Sequence, residues 1–282
     1  MGDRTRLIFA LVFGLIALSI ARGAEIRKEI PASQVRATIE AGQPAEFDNC
    51  IIVDDLNLHA AKIEGPIHFN NTHFLNSVDF GFTSFNGTAY FSSSTFNDFA
   101  NFEFSNFDGT AEFSSSKFNG TADFSSSTFN SGAYFDYSDF NGAANFGSTT
   151  FNGFTNIGNT NFNDNADFSR STINGFASFV FSTFKVTADF SSTTFNSLAY
   201  FWGSEFKGIA DFRHSAFNGG AYFASSRFNT TYFETTQFNK EAQFNDAQFV
   251  GTSDFDNSRF TGDALFENTT FQSKLSLTKA RY

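Results

Sequence analysis

Large apolar residues recur along this chain at alternating steps of five and six, so the hydrophobic repeat is eleven residues long. Within 111–151 the repeat is marked by Phe113, Phe118, Phe124, Phe129, Phe135, Phe140, Phe146 and Phe151. Two positions before each Phe lies a small residue, usually Ala in one register and Ser or Thr in the other. Side chains at i and i+2 point the same way in extended backbone. The pattern therefore predicts short strands in which the Phe and the small residue both point into a shared core.

The same repeat extends from Phe47 to Tyr282. It shortens once, because one residue is missing between Phe228 and Phe233. The ladder positions are Phe apart from Ile52, Leu58, Ile63, Ile157, Ile173, Leu277 and Tyr282. Such regularity is typical of a solenoid, in which each turn packs only on its neighbours.

Composition and charge narrow the function classes. The chain has 45 Phe but one Met and one Trp, a bias that a mixed globular core does not show. Its net charge of −11 argues against binding a nucleic-acid backbone. Its one cysteine, Cys50, excludes an internal disulfide framework and falls on a small inward position, so we expect it in the core.

Residues 1–24 have the pattern of a signal peptide. Arg4 and Arg6 precede an apolar run, 7–20, that is shorter than the roughly 20 residues needed to cross a bilayer. An uncleaved membrane anchor is the alternative interpretation. Either one predicts an exported protein that is secreted, periplasmic or on the cell surface. Since no further apolar run of spanning length follows, no membrane span is expected after signal removal.

Residues 25–46 precede the ladder and predict an N-terminal cap with one short helix over 34–41. Ser33 is its expected N-cap, and Gly42 is expected to take the left-handed conformation that ends it. Val35 and Ile39 lie four residues apart, which gives the helix one apolar face. We expect this face to cover the first turn of the solenoid.

The motifs ADFSS, at 122–126 and 188–192, and ANFGS, at 144–148, resemble the repeat unit of the pentapeptide-repeat family. The resemblance covers 47–282. It implies an all-β fold, a right-handed quadrilateral parallel β-helix (solenoid) with one five-residue unit on each face. This chain departs from the family pattern by inserting one residue at every second unit, as in FNGTADF at 118–124. It is similar to Phe-rich members of exported or surface type.

Successive eleven-residue repeats alternate between two kinds of residue at their outward positions. This alternation indicates a coil of about 22 residues. The position before the second-register Phe is uncharged in one alternate set, which comprises Thr128, Thr150, Thr172 and Thr194. The other set carries the charges, in Lys117, Asp139, Glu205 and Arg227 among others. The Thr set could order water as ice-binding solenoids do, but Thr on an exposed strand is the simpler interpretation.

Few residues suggest chemistry. His59, His68 and His73 lie near Asp54 and Asp55, but their spacing favours separate surface histidines over a metal site. Polar residues also gather at two places, and they resemble clusters in β-helical polysaccharide lyases: Asp167 with Arg170, and Asp211 with Arg213 and His214. Here no long loop builds a cleft around them. We therefore predict no enzyme activity, no cofactor and no metal.

At the inserted position, Phe154, Phe176 and Leu198 share one column at 22-residue spacing, and Phe181 and Trp202 also lie off the ladder. If these side chains point outward, they form an apolar stripe that marks a partner surface. If the insertion bulges inward, they are extra core. The sequence leaves both open.

The leading functional hypothesis is an exported, non-enzymatic β-solenoid. It would act as a structural or protein-binding module at the cell surface, with an unidentified protein or surface glycan as partner. One alternative, implied by the resemblance, is an acidic nucleic-acid mimic that binds a topoisomerase. Another is a β-helical protein that binds or degrades polysaccharide. The chain ends on a ladder residue, Tyr282, so a homodimer through the C-terminal coils is also expected.

Overall fold

The computed structural model describes residues 27–282, so the predicted signal peptide lies outside the described residues. These residues form an all-β parallel solenoid with one short helix, Ala32–Glu40. Strand partners lie 22 residues apart, as in the pairing of Ala89 with Ala111, which confirms the 22-residue coil. Eleven strands stacked on one face correspond to eleven turns.

Each turn has four strands, one on each face of the rod, numbered here in chain order. Face 1 begins every turn with an Ala-type strand. Its strands are Ala45–Glu46, Ile67–His68, Ala89–Tyr90, Ala111–Glu112, Ala133–Tyr134, Thr155–Asn156, Ala177–Ser178, Ala199–Tyr200, Ala221–Tyr222, Ala242–Gln243 and Ala264–Leu265. Face 2 follows with Lys28–Ile30, Cys50–Ile52, His73–Phe74, Thr95–Phe96, Lys117–Phe118, Asp139–Phe140, Asn161–Phe162, Thr183–Phe184, Gln248–Phe249 and Thr270–Phe271.

Faces 3 and 4 complete the turn. Face 3 holds Leu56–Asn57, Val78–Asp79, Ala100–Asn101, Ala122–Asp123, Ala144–Asn145, Ala166–Asp167, Thr187–Asp189, Ser253–Asp254 and Leu275–Ser276. Face 4 holds Lys62–Ile63, Ser84–Phe85, Asn106–Phe107, Thr128–Phe129, Thr150–Phe151, Thr172–Ile173, Thr194–Phe195, Ala216–Phe217, Gln237–Phe238 and Arg259–Phe260. Two longer strands, Glu205–Asp211 and Arg227–Tyr232, run continuously from face 2 to face 3.

The missing residue after Phe228 appears as a change of register between these two longer strands. Phe206 pairs with Phe228, whereas Ile209 pairs with Thr230, so the spacing falls by one residue. The next aromatic pair, Phe217 with Phe238, keeps the shorter spacing and still stacks at 5.2 Å. One turn thus loses a corner residue while the Phe columns stay continuous.

The core consists of four columns of stacked Phe rings, one for each face. Phe113 shows the arrangement: its ring is parallel to that of Phe91 at 4.8 Å and to that of Phe135 at 5.0 Å. It meets Phe124 of the opposite face edge-on at 5.3 Å. Offset and edge-on contacts are the favoured aromatic geometries. The eight Phe residues of 111–151 are all fully buried.

Buried hydroxyls tie successive turns together, which explains why one register prefers Ser or Thr to Ala. Ser116 Oγ donates to the carbonyl of Phe91 at 2.6 Å, while Ser138 Oγ accepts from the Ser116 N–H at 3.1 Å. In the Ala register such bonds are not general. Thr155 and Ser253, which stand in Ala positions, have buried Oγ atoms without a hydrogen-bond partner, whereas Thr231 Oγ1 donates to the Ala210 carbonyl at 3.2 Å. The two registers therefore differ in how regularly a buried hydroxyl finds a partner as well as in side-chain volume.

We expect Ser116→Ala to lower the free energy of unfolding by about 1 kcal/mol, since a buried hydrogen bond is lost. The matched control is Thr155→Val, which removes an unpaired buried hydroxyl at nearly constant shape and should leave stability unchanged or raise it. Urea unfolding followed by circular dichroism measures both. Equal destabilisation by the two variants would contradict the distinction between the registers.

The N-terminal cap differs from its prediction in two respects. The N-cap residue is Pro31, in extended conformation and without a side-chain cap, so the assignment of Ser33 was wrong. A strand precedes the helix and pairs with the first full turn, Ile30 opposite Ile52, which the ladder pattern did not indicate. The left-handed conformation of Gly42, φ 63°, is confirmed. Val35 is fully buried, so the helix does pack on the core.

Candidate binding surface

The predicted stripe lies on the outside of the rod, at the edge of face 1. Phe154 and Phe176 are half-buried and stacked at 5.2 Å, and Leu198 is 39% exposed. None of the three belongs to the buried core. The inserted residue therefore projects outward, which decides between the two placements left open by the sequence.

Glycines at the corner before the stripe allow successive turns to approach closely. A Cβ on Gly175 would lie 2.0 Å from the carbonyl oxygen of Gly153, and one on Gly153 would lie 2.2 Å from the carbonyl oxygen of Ser131. Contacts between real Cβ atoms and backbone oxygens are never so short, so this corner requires glycine in these turns. The close approach sets Phe154 and Phe176 at stacking distance.

Face 1 presents more aromatic surface than the predicted stripe. Leu198 and Tyr200 flank the buried Ala199 of one strand, so both point outward, and Trp202 follows in the turn after the buried Phe201. The Tyr200 ring meets that of Phe176 edge-on at 5.2 Å and stacks on that of Tyr222 at 4.5 Å. The aromatic column continues in the other direction, where Phe154 meets Tyr134 at 5.7 Å. Sequence reasoning missed the tyrosines, although their alternation with the buried ladder residues was a usable signal.

The corner between faces 1 and 2 extends this surface. Phe181 and Trp202 are 50% and 45% exposed, with ring centroids 4.8 Å apart. Gly203 has φ 66°, and a Cβ there would lie 2.5 Å from the Phe181 ring, so glycine lets that ring lie over the backbone. Tyr137, two turns earlier at the equivalent corner position, is 64% exposed.

Face 4, on the other side of the glycine corner, carries two regular polar rows. Thr128, Thr150, Thr172 and Thr194 pair directly across neighbouring strands, as their spacing predicted. The asparagines two residues later form a ladder in which each side-chain amide donates to the preceding one at 2.7 to 2.9 Å. Its members are Asn130, Asn152, Asn174, Asn196, Asn218 and Asn239.

Faces 4 and 1 together are uncharged over four successive turns. We call this region the neutral half-surface. Its segments contain no Asp, Glu, Lys, Arg or His: 149–159, 171–181, 193–203 and 215–225. The intervening segments on faces 2 and 3 carry charges of both signs, including Asp164, Asp167, Arg170, Lys185, Asp189, Glu205, Lys207, Asp211 and Arg213. For a chain of net charge −11, this is a marked segregation.

The phenol of Tyr222 adds no charge to the neutral half-surface. Its pKa is raised, first by burial and then by the nearby Glu241 and Tyr200. The neutral form is therefore favoured well beyond neutral pH. The Tyr222 hydroxyl remains available as a hydrogen-bond donor and acceptor.

The carboxylates of face 3 accept hydrogen bonds from backbone N–H groups. The residue before each Phe accepts the N–H two residues on, with Asp123 to Ser125 N at 2.9 Å and Asp189 to Ser191 N at 2.8 Å. Asp211 also binds the Arg213 guanidinium through two nitrogens, and this raises the pKa of Arg213. The charged groups of Asp211 and Arg213, in a cluster that resembled a lyase site, thus bind each other. Arg170 lies exposed at a separate corner.

The histidines singled out in the sequence lie apart. His59 approaches Asp79 at 3.3 Å and packs against Phe82, while His68 stacks on Tyr90 at 4.5 Å. Burial lowers the pKa of His73. Within residues 27–282, no three His, Cys, Asp or Glu side chains converge as metal ligands. Cys50 is buried, and burial raises the pKa of its thiol.

The turn at 261–282 leaves apolar side chains exposed. Leu265, Leu275, Leu277 and Tyr282 are 37%, 36%, 44% and 78% exposed. The Tyr282 ring stacks on that of Phe260 at 5.4 Å. The single helix of the described residues lacks the length and the apolar character needed to cross a bilayer.

Four faces of parallel strands, with one inward Phe on most faces of each turn, define a quadrilateral repeat solenoid. A family model described as pentapeptide repeats, in nine copies, matches residues 69–117, 201–248 and 233–281. The chain belongs to the pentapeptide-repeat family, as a Phe-rich variant. No curated protein matches it.

Proposed function

We propose that this protein is exported and acts as a non-enzymatic binding module, with the neutral half-surface as its contact region. The observation that carries the proposal is the outward-facing, half-buried aromatic column of face 1, flanked by the exposed Leu198 and Trp202, in the uncharged part of an acidic rod. Contiguous exposed apolar surface on a soluble protein is typical of an interaction site. The signal-peptide pattern of residues 1–24 supports export.

A non-enzymatic role is supported by how the titratable groups are used. The Asp residues of face 3 cap backbone N–H groups, and Asp211 pairs with Arg213. Neither arrangement leaves an acid and a base facing a common cleft, as general acid–base catalysis requires. The topoisomerase-binding alternative is less favoured, because Lys185, Lys207 and Arg213 interrupt the carboxylates on the charged half.

The export part of the proposal is tested by cell fractionation of the source organism. We expect the protein outside the cytosol, in the periplasm, medium or cell envelope. Recovery of the chain from the cytosol would refute export and would favour the intracellular topoisomerase-binding alternative.

The binding part is tested with a triple variant, Phe154→Ser, Phe176→Ser and Leu198→Ser. We expect retention of the exported protein on intact cells to fall by roughly tenfold or more, since truncating central aromatic contacts removes most of the binding energy. The matched control changes exposed apolar residues elsewhere, Leu75→Ser, Val186→Ser and Ile209→Ser, each 41% to 42% exposed. Retention that is equal in both variants would refute the assignment to face 1.

A homodimer through the C-terminal turn is also proposed, because Leu265, Leu275, Leu277 and Tyr282 expose adjoining apolar surface there. Light scattering over a concentration series should give a dimer mass that Tyr282→Ser with Leu277→Ser reduces to that of a monomer. A monomer mass for the unaltered chain at high concentration would contradict it.

A further inference from the structure

We propose that the partner of the neutral half-surface is an uncharged linear glycan that lies along the rod axis over face 1. This inference rests on the proposed function and names its ligand class. It draws on three features of the surface: its chemistry, its size and its repeat distance.

The chemistry of the surface matches that of a neutral sugar chain. Tyr200, Tyr222 and Trp202 are amphipathic, with a ring for the C–H faces of a sugar and an O–H or N–H group for its hydroxyls. Asn156 and Ser178 lie between Tyr134 and Tyr200 in the same outward column and add polar groups. The surface has no cation to pair with an anionic glycan, and the net charge of −11 repels one.

The size of the aromatic face suits a chain-like ligand better than a folded protein. Four turns at ~4.8 Å per strand give a length of about 19 Å, and a five-residue face is about 17 Å wide, so its area is roughly 300 Å². A stable protein–protein interface buries about 800 Å² on each partner. Face 4 meets face 1 at a corner, so a flat partner contacts only one of them.

The repeat of the surface also fits a polymer. Outward side chains recur at each turn along the axis, at the strand spacing of ~4.8 Å, which is close to the length of one pyranose unit. Successive sugars of an extended chain can thus make equivalent contacts with Phe154, Phe176, Leu198 and the tyrosines beside them. A short linear oligosaccharide spans the four uncharged turns.

The position of the single tryptophan provides a direct assay. Trp202 is the only Trp of the chain and lies at the edge of this face, so its fluorescence reports on this surface. The exported full protein is titrated with hydroxyethyl cellulose and laminarin as neutral probes and with polygalacturonate as the anionic probe. We expect a saturable change in emission with at least one neutral glucan and none with polygalacturonate.

Two variants locate the site. Tyr200→Ala and Ser178→Asp should each weaken neutral-glucan binding roughly tenfold, the first by loss of a central aromatic contact and the second by placing an unpaired charge on the face. The matched control, Thr183→Asp, places the same charge on face 2 and should leave binding unchanged. Circular dichroism confirms that each variant keeps the β-solenoid.

The outcomes separate this inference from the proposed function. Absence of saturable binding to both neutral glucans, equal binding of polygalacturonate, or an equal effect of Thr183→Asp overturns the glycan assignment. If cell retention still depends on Phe154, Phe176 and Leu198 in that case, the binding function stands with a different partner. A dimer abolished by Tyr200→Ala would instead identify a second copy of the chain as the occupant and overturn the glycan.

Discussion

Phe124→Ala is expected to lower the free energy of unfolding by about 3–5 kcal/mol, the largest effect of any single core substitution that we predict. Phe124 is fully buried and its ring lies between those of Phe102, at 4.8 Å, and Phe146, at 5.0 Å. The adjacent turns form one continuous hydrogen-bonded stack, so they cannot close the resulting cavity by a local shift. Urea unfolding followed by circular dichroism gives the difference in free energy.

The matched control is the same substitution at an exposed ring. Phe104 is 47% exposed and stacks on Phe82 at the corner between faces 3 and 4. Phe104→Ala should cost less than about 1 kcal/mol, as is usual for surface positions. Similar losses at Phe104 and Phe124 would contradict the assignment of the ladder as core.

Gly175→Ala is expected to destabilise the rod by about 1–3 kcal/mol through steric overlap with backbone. The added Cβ would lie 2.0 Å from the carbonyl oxygen of Gly153, and the turns must separate to admit it. Gly65 is the control, because a Cβ there meets nothing within 4 Å. Gly65→Ala should be neutral or stabilise by up to about 1 kcal/mol, since alanine restricts the unfolded chain.

These two variants also make separate predictions for thermal unfolding. Gly175→Ala should lower the midpoint of thermal unfolding and Gly65→Ala should not. A Gly175→Ala protein as stable as the unaltered one would mean that the glycine corner is not a close-packed contact between turns.

The sequence was sufficient for the fold because the ladder recurs without interruption. Every Phe of 111–151 lies in the core as the step of five and six required. The difference between alternate elevens, Thr128 against Lys117, was enough to choose 22 residues per coil. In a solenoid each turn contacts its neighbours in the same way, so one correct unit determines the rest.

Features that depend on backbone conformation were harder to predict from the sequence. Asn follows most second-register Phe residues, and its preference for turns favours a left-handed corner at that point. The structure instead places the left-handed residue two positions after each first-register Phe, as at Ser93 and Ser115, both with φ 60°. The side chain there varies from Ser to Phe to Tyr, so composition gives no signal. The buried hydroxyl bonds of Ser116 and its equivalents likewise depend on the stacking of turns.

The candidate surface was predicted in part. Phe154, Phe176 and Leu198 were visible as exceptions to a polar column, but their direction depended on how the inserted residue was accommodated. The neutral half-surface extends over two faces that are adjacent only in the folded turn. A comparison of the charged residues in successive eleven-residue segments, such as 193–203 and 204–214, would have revealed the neutral half-surface from the sequence.

The central claim is that the partner binds the neutral half-surface, and tyrosine footprinting tests it most directly. Tyr200 and Tyr222 lie on face 1, whereas Tyr232, equally half-buried, lies on face 3 against Arg213. Hydroxyl-radical labelling of the full protein, alone and in the presence of intact cells, measures the protection of each. The account predicts protection of Tyr200, Tyr222 and Trp202 on binding and no change at Tyr232. Protection of Tyr232 with Tyr200 and Tyr222 left accessible would contradict it.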